Sequence, residues 1–237
     1  MMATAYDGAE ANSGIPGRLA EVRGRIAAAA LRAGREPGDV RLIAISKFQP
    51  LSAIRAALAA GQLEFGENRA QELDAKLASP PAGARWHFVG RLQRNKVKQV
   101  VGQVELIHSV DRMSLAEAIA AHAGRRDLCQ RILIQVDVAG ELHKGGCTPD
   151  QVPVLLERIA QLDGVSAVGL MTIPPIDADP ATMFARLRAL RARYVSGFPD
   201  LIELSMGMSA DLEAAIAHGA TIVRVGTAIF GARPGSQ

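Results

Sequence analysis

The sequence is poor in several features that mark particular classes of protein. Of its 237 residues only 4% are aromatic, and its two cysteines, Cys129 and Cys147, form no paired zinc-binding spacing. Two cysteines do not build a disulfide framework, so the composition is typical of a reducing cytoplasm. The apolar run at residues 26–31 is too short to span a bilayer, and the N-terminus lacks the pattern of a signal peptide. We therefore expect a cytoplasmic protein with no membrane partner.

The sequence also lacks an excess of charge of either sign. It has 27 Lys and Arg against 24 Asp and Glu, which gives a net charge of +3. The most basic segment, RLQRNKVKQ with Arg91, Arg94, Lys96 and Lys98, has no interleaved aromatic residues and is typical of a solvated helix surface. The five histidines show no metal-ligand spacing. The composition therefore predicts no nucleic-acid partner and no metal site.

What the sequence does contain is an alternation of short apolar strands with helical stretches. The predicted strands cover residues 42–46, 63–65, 86–89, 105–108, 132–138, 165–170, 201–204 and 222–225. The predicted helices cover residues 18–33, 51–60, 67–77, 94–101, 113–123, 149–161, 180–194 and 210–218, the last with Ser209 as its cap. Such an alternation is typical of a parallel sheet whose two faces are both covered by helices.

The number of strands predicts how that sheet closes. Eight strands close a (β/α)₈ TIM barrel, for which about 250 residues is a usual length. A doubly wound open sheet is the alternative, but no GxGxxG or GxxxxGK[ST] motif follows any strand. We predict an α/β protein with one barrel domain at residues 18–237 after a flexible tail at residues 1–17. The extra N-terminal helix at residues 18–33 is expected to fill the place of a missing final helix.

Polar residues follow the predicted strands at the end where barrel proteins hold their functional sites. The first strand ends in AISKFQP, which places Lys47 at the rim of the barrel. A lysine in a partly desolvated mouth has a lowered pKa, so its neutral amine is available to form an imine with an aldehyde. The alternatives are a lysine that extends into solvent or one that pairs with Glu67.

Two stretches after the last strands predict a binding site for phosphate. LSMGMS supplies Ser205, Met206 and Gly207, and RVGTAIFG supplies Gly226 and Thr227. Loops after strands seven and eight commonly bind phosphate in barrels, through backbone N–H groups. Ordinary turn and cap chemistry would explain either stretch alone. A lysine for an aldehyde together with a cup for a phosphate describes a site for pyridoxal 5′-phosphate (PLP).

Arg224 interrupts the apolar strand TIVRVG, so we expect it to point into the barrel toward a polar target. A cation at the pyridine nitrogen of PLP would keep the ring unprotonated and make it a poor electron sink. An ion pair with Glu203 or Asp137 is the alternative. His87, in WHFVG, is either a pocket contact or a hydrogen-bonded core histidine, and Asn68 is either a pocket contact or a helix cap.

Several longer segments resemble those of a known family. AISKFQP, FGENRAQEL, WHFVGRLQRNK, HSVD, GLMTIPP and the stretch LSMGMSADLEAAIAHGATIVRVGTAIFG are similar to the PLP homeostasis proteins, whose fold is the N-terminal barrel of alanine racemase. The resemblance implies that Lys47 is the Schiff-base lysine. It also implies that the cofactor PLP contacts the following residues: Asn68, His87, Met171, Ser205, Met206, Gly207, Arg224, Gly226 and Thr227.

The chain departs from the family pattern in a few segments. Arg91 and Arg94 stand in the segment RLQRNK where the family usually has Pro-Leu-Gln-Ser-Asn-Lys. GENRAQE replaces the commoner Tyr-Val-Gln-Glu form, and ELHKGG varies the stretch around Lys144. These differences leave the expected cofactor residues intact, and they give no role to the basic residues Arg91, Arg94, Lys96 and Lys144.

The resemblance implies a monomeric carrier that keeps PLP in balance, has apo PLP-dependent enzymes as candidate recipients, and has no catalytic residues. The related racemases use a tyrosine from a second domain as their other acid–base group. Here the sequence ends six residues after Gly231, and its tyrosines are Tyr6 and Tyr194. Two alternatives remain: a weak PLP-dependent amino-acid racemase or lyase, and an aldolase that uses Lys47 without a cofactor.

Overall fold

The computed structural model describes residues 12–140 and 145–231, which form a closed barrel of eight parallel strands in chain order. The strands are β1 (Arg41–Ile45), β2 (Glu64–Glu67), β3 (Arg85–Phe88), β4 (Leu106–Val110), β5 (Gln130–Gln135), β6 (Val165–Met171), β7 (Glu203–Ser205) and β8 (Ile222–Val225). The predicted (β/α)₈ barrel is therefore confirmed. The predicted tail up to residue 11, Lys144 and the last six residues lie outside the described residues.

Helices surround the barrel between its strands. They are α1 (Ile15–Arg32), α2 (Leu51–Ala59), α3 (Ala70–Leu77), α4 (Val97–Val100), α5 (Met113–Gly124), α6 (Val152–Ile159), α7 (Pro180–Tyr194), α8 (Leu212–Ala217) and α9 (Thr227–Phe230). Short 3₁₀ turns at Arg94–Lys96 and Pro149–Gln151 precede α4 and α6. Within the described ranges, no helix is both long and apolar enough to cross a bilayer.

Three helix starts differ from the sequence prediction. Helix α1 begins at Ile15 rather than residue 18. Helix α3 begins at Ala70 rather than residue 67, because Glu67 still pairs with Phe88 as part of the sheet and Arg69 has an extended backbone. Helix α8 begins at Leu212 after Asp211, so the assignment of Ser209 as its cap is wrong. These differences matter because Glu67 and Ser209 then lie at the barrel mouth.

Helix α1 closes the outer layer between the last and the first helices, as predicted. Arg25 forms an ion pair with Glu213 of α8 at 2.7 Å, and Arg18 Nε donates to the carbonyl of Ile229 in α9 at 2.6 Å. On its other side, Arg23 donates to the carbonyl of Ala60 just after α2 at 2.8 Å. The buried face of α1, with Leu19 fully enclosed, packs into the main hydrophobic core.

The amino end of the barrel is closed by ion pairs. Arg41 contacts Glu203 at 2.7 Å and Glu64 at 3.9 Å, while Arg85 contacts Glu64 at 3.4 Å and Arg131 contacts Glu203 at 3.7 Å. Burial raises the pKa of Glu64, although Arg41 and Arg85 act in the opposite direction. With this end closed, the carboxyl ends of the strands form the open mouth of the barrel.

Candidate functional site

A cavity of about 320 Å³ opens at the carboxyl end of the barrel, between the loops that follow β1, β7 and β8. This volume lies within the range of small-molecule sites, which begins near 300 Å³. Four of the predicted residues line it together: Lys47, Arg224, Gly226 and Thr227. The structure therefore brings the candidate imine lysine, the strand arginine and the end of β8 to one place.

Arg224 is a buried cation whose neighbours are neutral. Its Nη1 donates to Ser205 Oγ at 2.7 Å and its Nη2 to the carbonyl of Thr172 at 2.9 Å, while the residue is only 4% exposed. No described carboxylate lies within ion-pair distance of its guanidinium. Burial lowers its pKa to about 10. A buried cation without a counter-ion is costly, so this side of the cavity favours an acceptor or an anion.

The ion-pair partners that the sequence suggested for Arg224 are engaged elsewhere. Glu203 pairs with Arg41 and Arg131 at the amino end of the barrel. Asp137 Oδ1 accepts the backbone N–H groups of Ala139 and Gly140, at 3.0 and 2.9 Å. Among the described residues, Arg224 thus donates to two neutral oxygens, and it also lines the cavity.

Hydroxyl and backbone N–H groups also meet beside the cavity. Thr227 Oγ1 donates to Ser209 Oγ at 3.2 Å, and the backbone N–H of Ala228 lies 3.4 Å from the same oxygen. Ser209 lines the cavity and, as the last residue of LSMGMS, belongs to the stretch from which the sequence predicts a phosphate site.

The loop after β7 depends on a glycine that lies close to its neighbours. Gly207 has φ +92°, and a Cβ at this position would lie 2.5 Å from the Cβ of Ala215. Its carbonyl accepts the backbone N–H of Arg224 at 2.9 Å. Only glycine combines this conformation with this close approach, so Gly207 fixes the loop against β8.

Below Arg224, a chain of hydrogen bonds continues through the barrel interior. Ser205 Oγ lies 2.8 Å from His108 Nδ1, and His108 Nε2 lies 3.2 Å from His87 Nδ1. The Ser205 hydroxyl accepts from Arg224 and shares a further hydrogen bond with His108, and the two imidazoles share one with each other, its direction set by their tautomers. Burial lowers the pKa of both histidines, that of His87 to about 3, so both are neutral. His108 in HSVD follows the pattern of polar residues at strand ends, and the structure places it between Ser205 and His87.

The remaining predicted residues lie outside this cavity. His87 and Met171 are fully buried in the barrel, and the Met206 side chain packs in the outer core. Asn68 lines a separate cavity of about 420 Å³ together with Arg91 and Lys96. The buried Oδ1 of Asn68 has no hydrogen-bond partner within the described ranges. As cofactor contacts, all of these residues stay predictions.

One group of side chains has the composition of a metal site. Ligand atoms of Glu64, His87 and Glu105 lie within 4.8 Å of one another. However, Arg85 contacts Glu64 at 3.4 Å and Glu105 at 3.8 Å, and Arg41 also faces this group. These arginines help to lower the pKa of His87, which means that the local potential is positive. This potential disfavours a divalent cation, and the group belongs to the ion pairs that close the barrel.

A closed (β/α)₈ barrel with a lysine after β1 and an arginine on β8 facing one cavity is the arrangement expected for the alanine racemase barrel class. The sequence profile described as "Alanine racemase, N-terminal domain" matches residues 18–234. The chain is 44% identical over 226 residues to a pyridoxal phosphate homeostasis protein of Pseudomonas aeruginosa, covering 93% of this chain and 96% of that protein. It therefore belongs to the pyridoxal phosphate homeostasis protein family.

Solved structures agree with this assignment. PipY of Synechococcus elongatus PCC7942, in its structure without PLP, has a TM-score of 0.81 at 40% identity, covering 92% of this chain and all of that chain. The structure of PipY with PLP bound has a TM-score of 0.77 at 39% identity over the same share of both chains. This protein is thus similar along nearly its whole described length to a barrel known with PLP.

Proposed function

We propose that this protein binds PLP in the cavity at its barrel mouth, holds it through a Schiff base to Lys47, and serves intracellular PLP homeostasis. The observation that carries the proposal is the pairing of Lys47 and the buried Arg224 across one cavity, in a chain whose relatives are named PLP homeostasis proteins. When bound, PLP supplies an aldehyde that condenses with the amine of a lysine and releases water.

The side chains present fit the three polar parts of PLP. Lys47 lines the cavity and can supply the amine for the aldehyde, and the hydroxyls of Ser209 and Thr227 with the N–H of Ala228 can surround the phosphate. Arg224 has a buried guanidinium beside the same cavity and no described carboxylate to neutralise it. As a permanent donor it can bind the pyridine nitrogen, which cannot then also be protonated. The ring would therefore be a weak electron sink.

We further propose that the protein holds PLP without catalytic turnover. Racemases and lyases need a second acid–base group at the substrate. Among the described residues that line the cavity, the ionisable groups are Lys47 and Arg224, with no Asp, Glu, His, Tyr or Cys. Tyr194 lies at the end of α7 and does not line the cavity, and Tyr6 is outside the described residues. Proton transfer to an amino acid would therefore depend on Lys47 alone.

The proposal includes the setting in which the protein works. Cys129 and Cys147 are free, and burial raises the pKa of the Cys147 thiol to about 12, which makes it unreactive. Two free cysteines suit a cytoplasmic protein. We propose a monomer that passes PLP to apo PLP-dependent enzymes, which sedimentation and transfer assays with such an enzyme would test.

A visible absorption spectrum tests PLP binding. We expect the wild-type protein with PLP to gain a visible band, and borohydride to fix the adduct on the peptide that contains Lys47. Lys47→Ala should form no such band, whereas Lys98→Ala, which removes an exposed lysine outside the cavity, should behave like the wild type. A wild-type protein that stays colourless, or an adduct on another lysine, would contradict the proposal.

Isotope exchange tests the absence of turnover. The protein loaded with PLP is incubated with L-alanine in deuterated water, and deuterium at the α-carbon is measured by NMR. We expect no exchange above the rate of free PLP at the same concentration. Exchange well above that rate that disappears in Lys47→Ala would favour the weak racemase or lyase instead.

A further inference from the structure

The turn that carries Lys47 is held on both sides by one neighbouring segment of the chain. We call Ser46–Phe48 the lysine turn. Ser46 Oγ donates to Glu67 Oε1 at 2.6 Å, and the carbonyl of Ser46 accepts from Lys76 Nζ at 2.8 Å. On the other side of Lys47, the backbone N–H of Phe48 donates to Glu72 Oε1. Lys47 thus lies between two anchored residues.

The anchoring side chains form a buried network of their own. Lys76 Nζ contacts Glu67 Oε1 at 2.6 Å and Glu72 Oε1 at 3.1 Å. With the Ser46 carbonyl, these oxygens occupy all three donors of the ammonium group. Glu67 is fully buried and Lys76 is 6% exposed. Although Lys76 and Ser46 stabilise the carboxylate, burial has the larger effect and raises the pKa of Glu67.

The lysine turn needs such support because its backbone is unfavourable. Phe48 has φ +65°, a left-handed conformation that is uncommon for a large side chain. The backbone N–H of Gln49 closes the turn on the Ser46 carbonyl at 3.0 Å. The guanidinium of Arg69 covers the Phe48 ring at 5.2 Å from its centre. Without these contacts, Phe48 would relax toward negative φ, and the direction of the Lys47 side chain would change with it.

A buried ion pair is a poor means of gaining stability, since removing both charges from water costs about as much as their attraction returns. The Lys76–Glu67 pair is therefore better explained by what it positions. We propose that Lys76, together with Glu67, is a positioning residue that fixes the lysine turn so that Lys47 Nζ faces the cavity. This inference rests on the proposed function, because it concerns the same lysine.

The inference also explains why two sequence motifs lie side by side in the structure. Strand β1 ends in AISKFQP, and the anchoring residues Glu67, Arg69, Glu72 and Lys76 all come from FGENRAQELDAK at the end of β2 and in α3. Since β1 and β2 are neighbours in the barrel, the second motif lies directly beside the first. The second motif thus acts as a support for the lysine and needs no contact of its own with a ligand.

The test uses the full-length double variant Lys76→Met/Glu67→Gln, which removes both buried charges together and leaves neither unpaired. Lys98→Met is the control for loss of an exposed lysine. Acetylation of Lys47 is followed by mass spectrometry at one fixed pH, without PLP, in protein shown by circular dichroism to be folded. We expect the rate of Lys47 acetylation in the double variant to differ from that in the wild type, because the direction of the side chain changes, while Lys98→Met matches the wild type.

A second measurement follows the borohydride-trapped PLP adduct at Lys47. We expect its rate of formation to fall at least about tenfold in the double variant, as for other reacting groups that lose their alignment. Ser46→Ala removes only a hydroxyl, so its rate of adduct formation should fall by less. This variant also provides the test if the double variant does not fold. Unchanged acetylation and trapping in the folded variants would overturn the inference. A wild type that traps no PLP would refute the proposed function, while acetylation would still test the positioning.

Discussion

Gly207 is the residue at which backbone conformation and packing constrain the candidate site most tightly. We expect Gly207→Ala to lower the free energy of unfolding by about 2–4 kcal/mol, because a left-handed alanine costs roughly 1–2 kcal/mol and the overlap with Ala215 adds about as much again. Urea titration followed by circular dichroism measures this change. The same variant should bind PLP more weakly, since the loop after β7 would have to move.

Gly219→Ala is the matched control for that substitution. Gly219 also has a positive φ, +87°, but the nearest atom to an added Cβ is Arg188 Cδ at 3.8 Å, an ordinary contact. We expect this control to show the conformational cost alone, about 1 kcal/mol, and to leave PLP binding unchanged. Equal losses of stability in the two variants would mean that the approach to Ala215 has no energetic effect.

The residues of the site differ in how well the sequence could predict them. Lys47 and Arg224 could be predicted because each is a charge placed in or after an apolar strand, where only a polar target explains it. The sequence could place His87 on a strand of the barrel. It could not show how deeply the side chain is buried, because its partner His108 comes from another strand. Asn68 was assigned to the pocket by resemblance, and the structure places it in a neighbouring cavity, which no local pattern reveals.

At the scale of the element, substitutions in helix α1 test whether this helix completes the outer layer of the barrel. Leu19 is fully buried in the main hydrophobic core, whereas Leu31 on the same helix is 63% exposed. We expect Leu19→Ala to cost about 2–5 kcal/mol of unfolding free energy, the usual range for a buried leucine. Leu31→Ala should change it by less than about 0.5 kcal/mol, as for other surface substitutions.

Thermal unfolding followed by circular dichroism compares the two leucine variants. The substitution and the helix are the same, so helix propensity cancels and only burial differs. If Leu19→Ala were as stable as Leu31→Ala, helix α1 would not be an integral part of the barrel. A larger loss in Leu19→Ala would support the interpretation that α1 fills the place of a final helix.

The ends of the helices could be predicted where the signals are local in the sequence. They were harder to predict where tertiary contacts determine where a helix begins. Helix α7 begins at Pro180 after the capping side chain of Asp179 and ends at Tyr194, as the sequence predicted. Helix α3 starts three residues later than predicted, because pairing with β3 keeps Glu67 in the sheet. Periodicity cannot show this, since the competition is between a helix turn and a neighbouring strand that lies far away in sequence.

Over the whole molecule, the two ends of the barrel differ in whether their arginines are paired with carboxylates. The amino end pairs Arg41, Arg85 and Arg131 with carboxylates, while at the carboxyl end Arg224 has none among the described residues. The neutral chain of Ser205 and the two histidines connects these ends. A ligand with an acceptor or a negative charge would therefore stabilise the open end.

The two buried histidines should make the stability of the whole barrel sensitive to mild acid. An unfolded histidine takes up a proton near pH 6.5, whereas burial keeps His87 neutral until about pH 3 and also lowers the pKa of His108. Between pH 6.5 and 3 the unfolded chain thus binds more protons, and stability falls as the pH falls. Each buried ring contributes a slope of about 1.4 kcal/mol per pH unit, fully developed below about pH 6.

The unfolding free energy, measured with urea between pH 7.5 and 5, tests this prediction. The Arg25–Glu213 pair lowers the pKa of Glu213, so the stability from this carboxylate is lost only in more acidic solution, below about pH 4.5. The raised pKa values of Glu64 and Glu67 contribute a slope of the opposite sign above about pH 4.5, so the histidine contribution is taken from the difference between the wild type and a histidine variant. We expect His87→Gln to reduce the slope between pH 6 and 5 by about 1.4 kcal/mol per pH unit, whatever its effect at pH 7.5. An unchanged slope would mean that His87 is protonated in the folded protein, and the neutral chain below Arg224 would have to be abandoned.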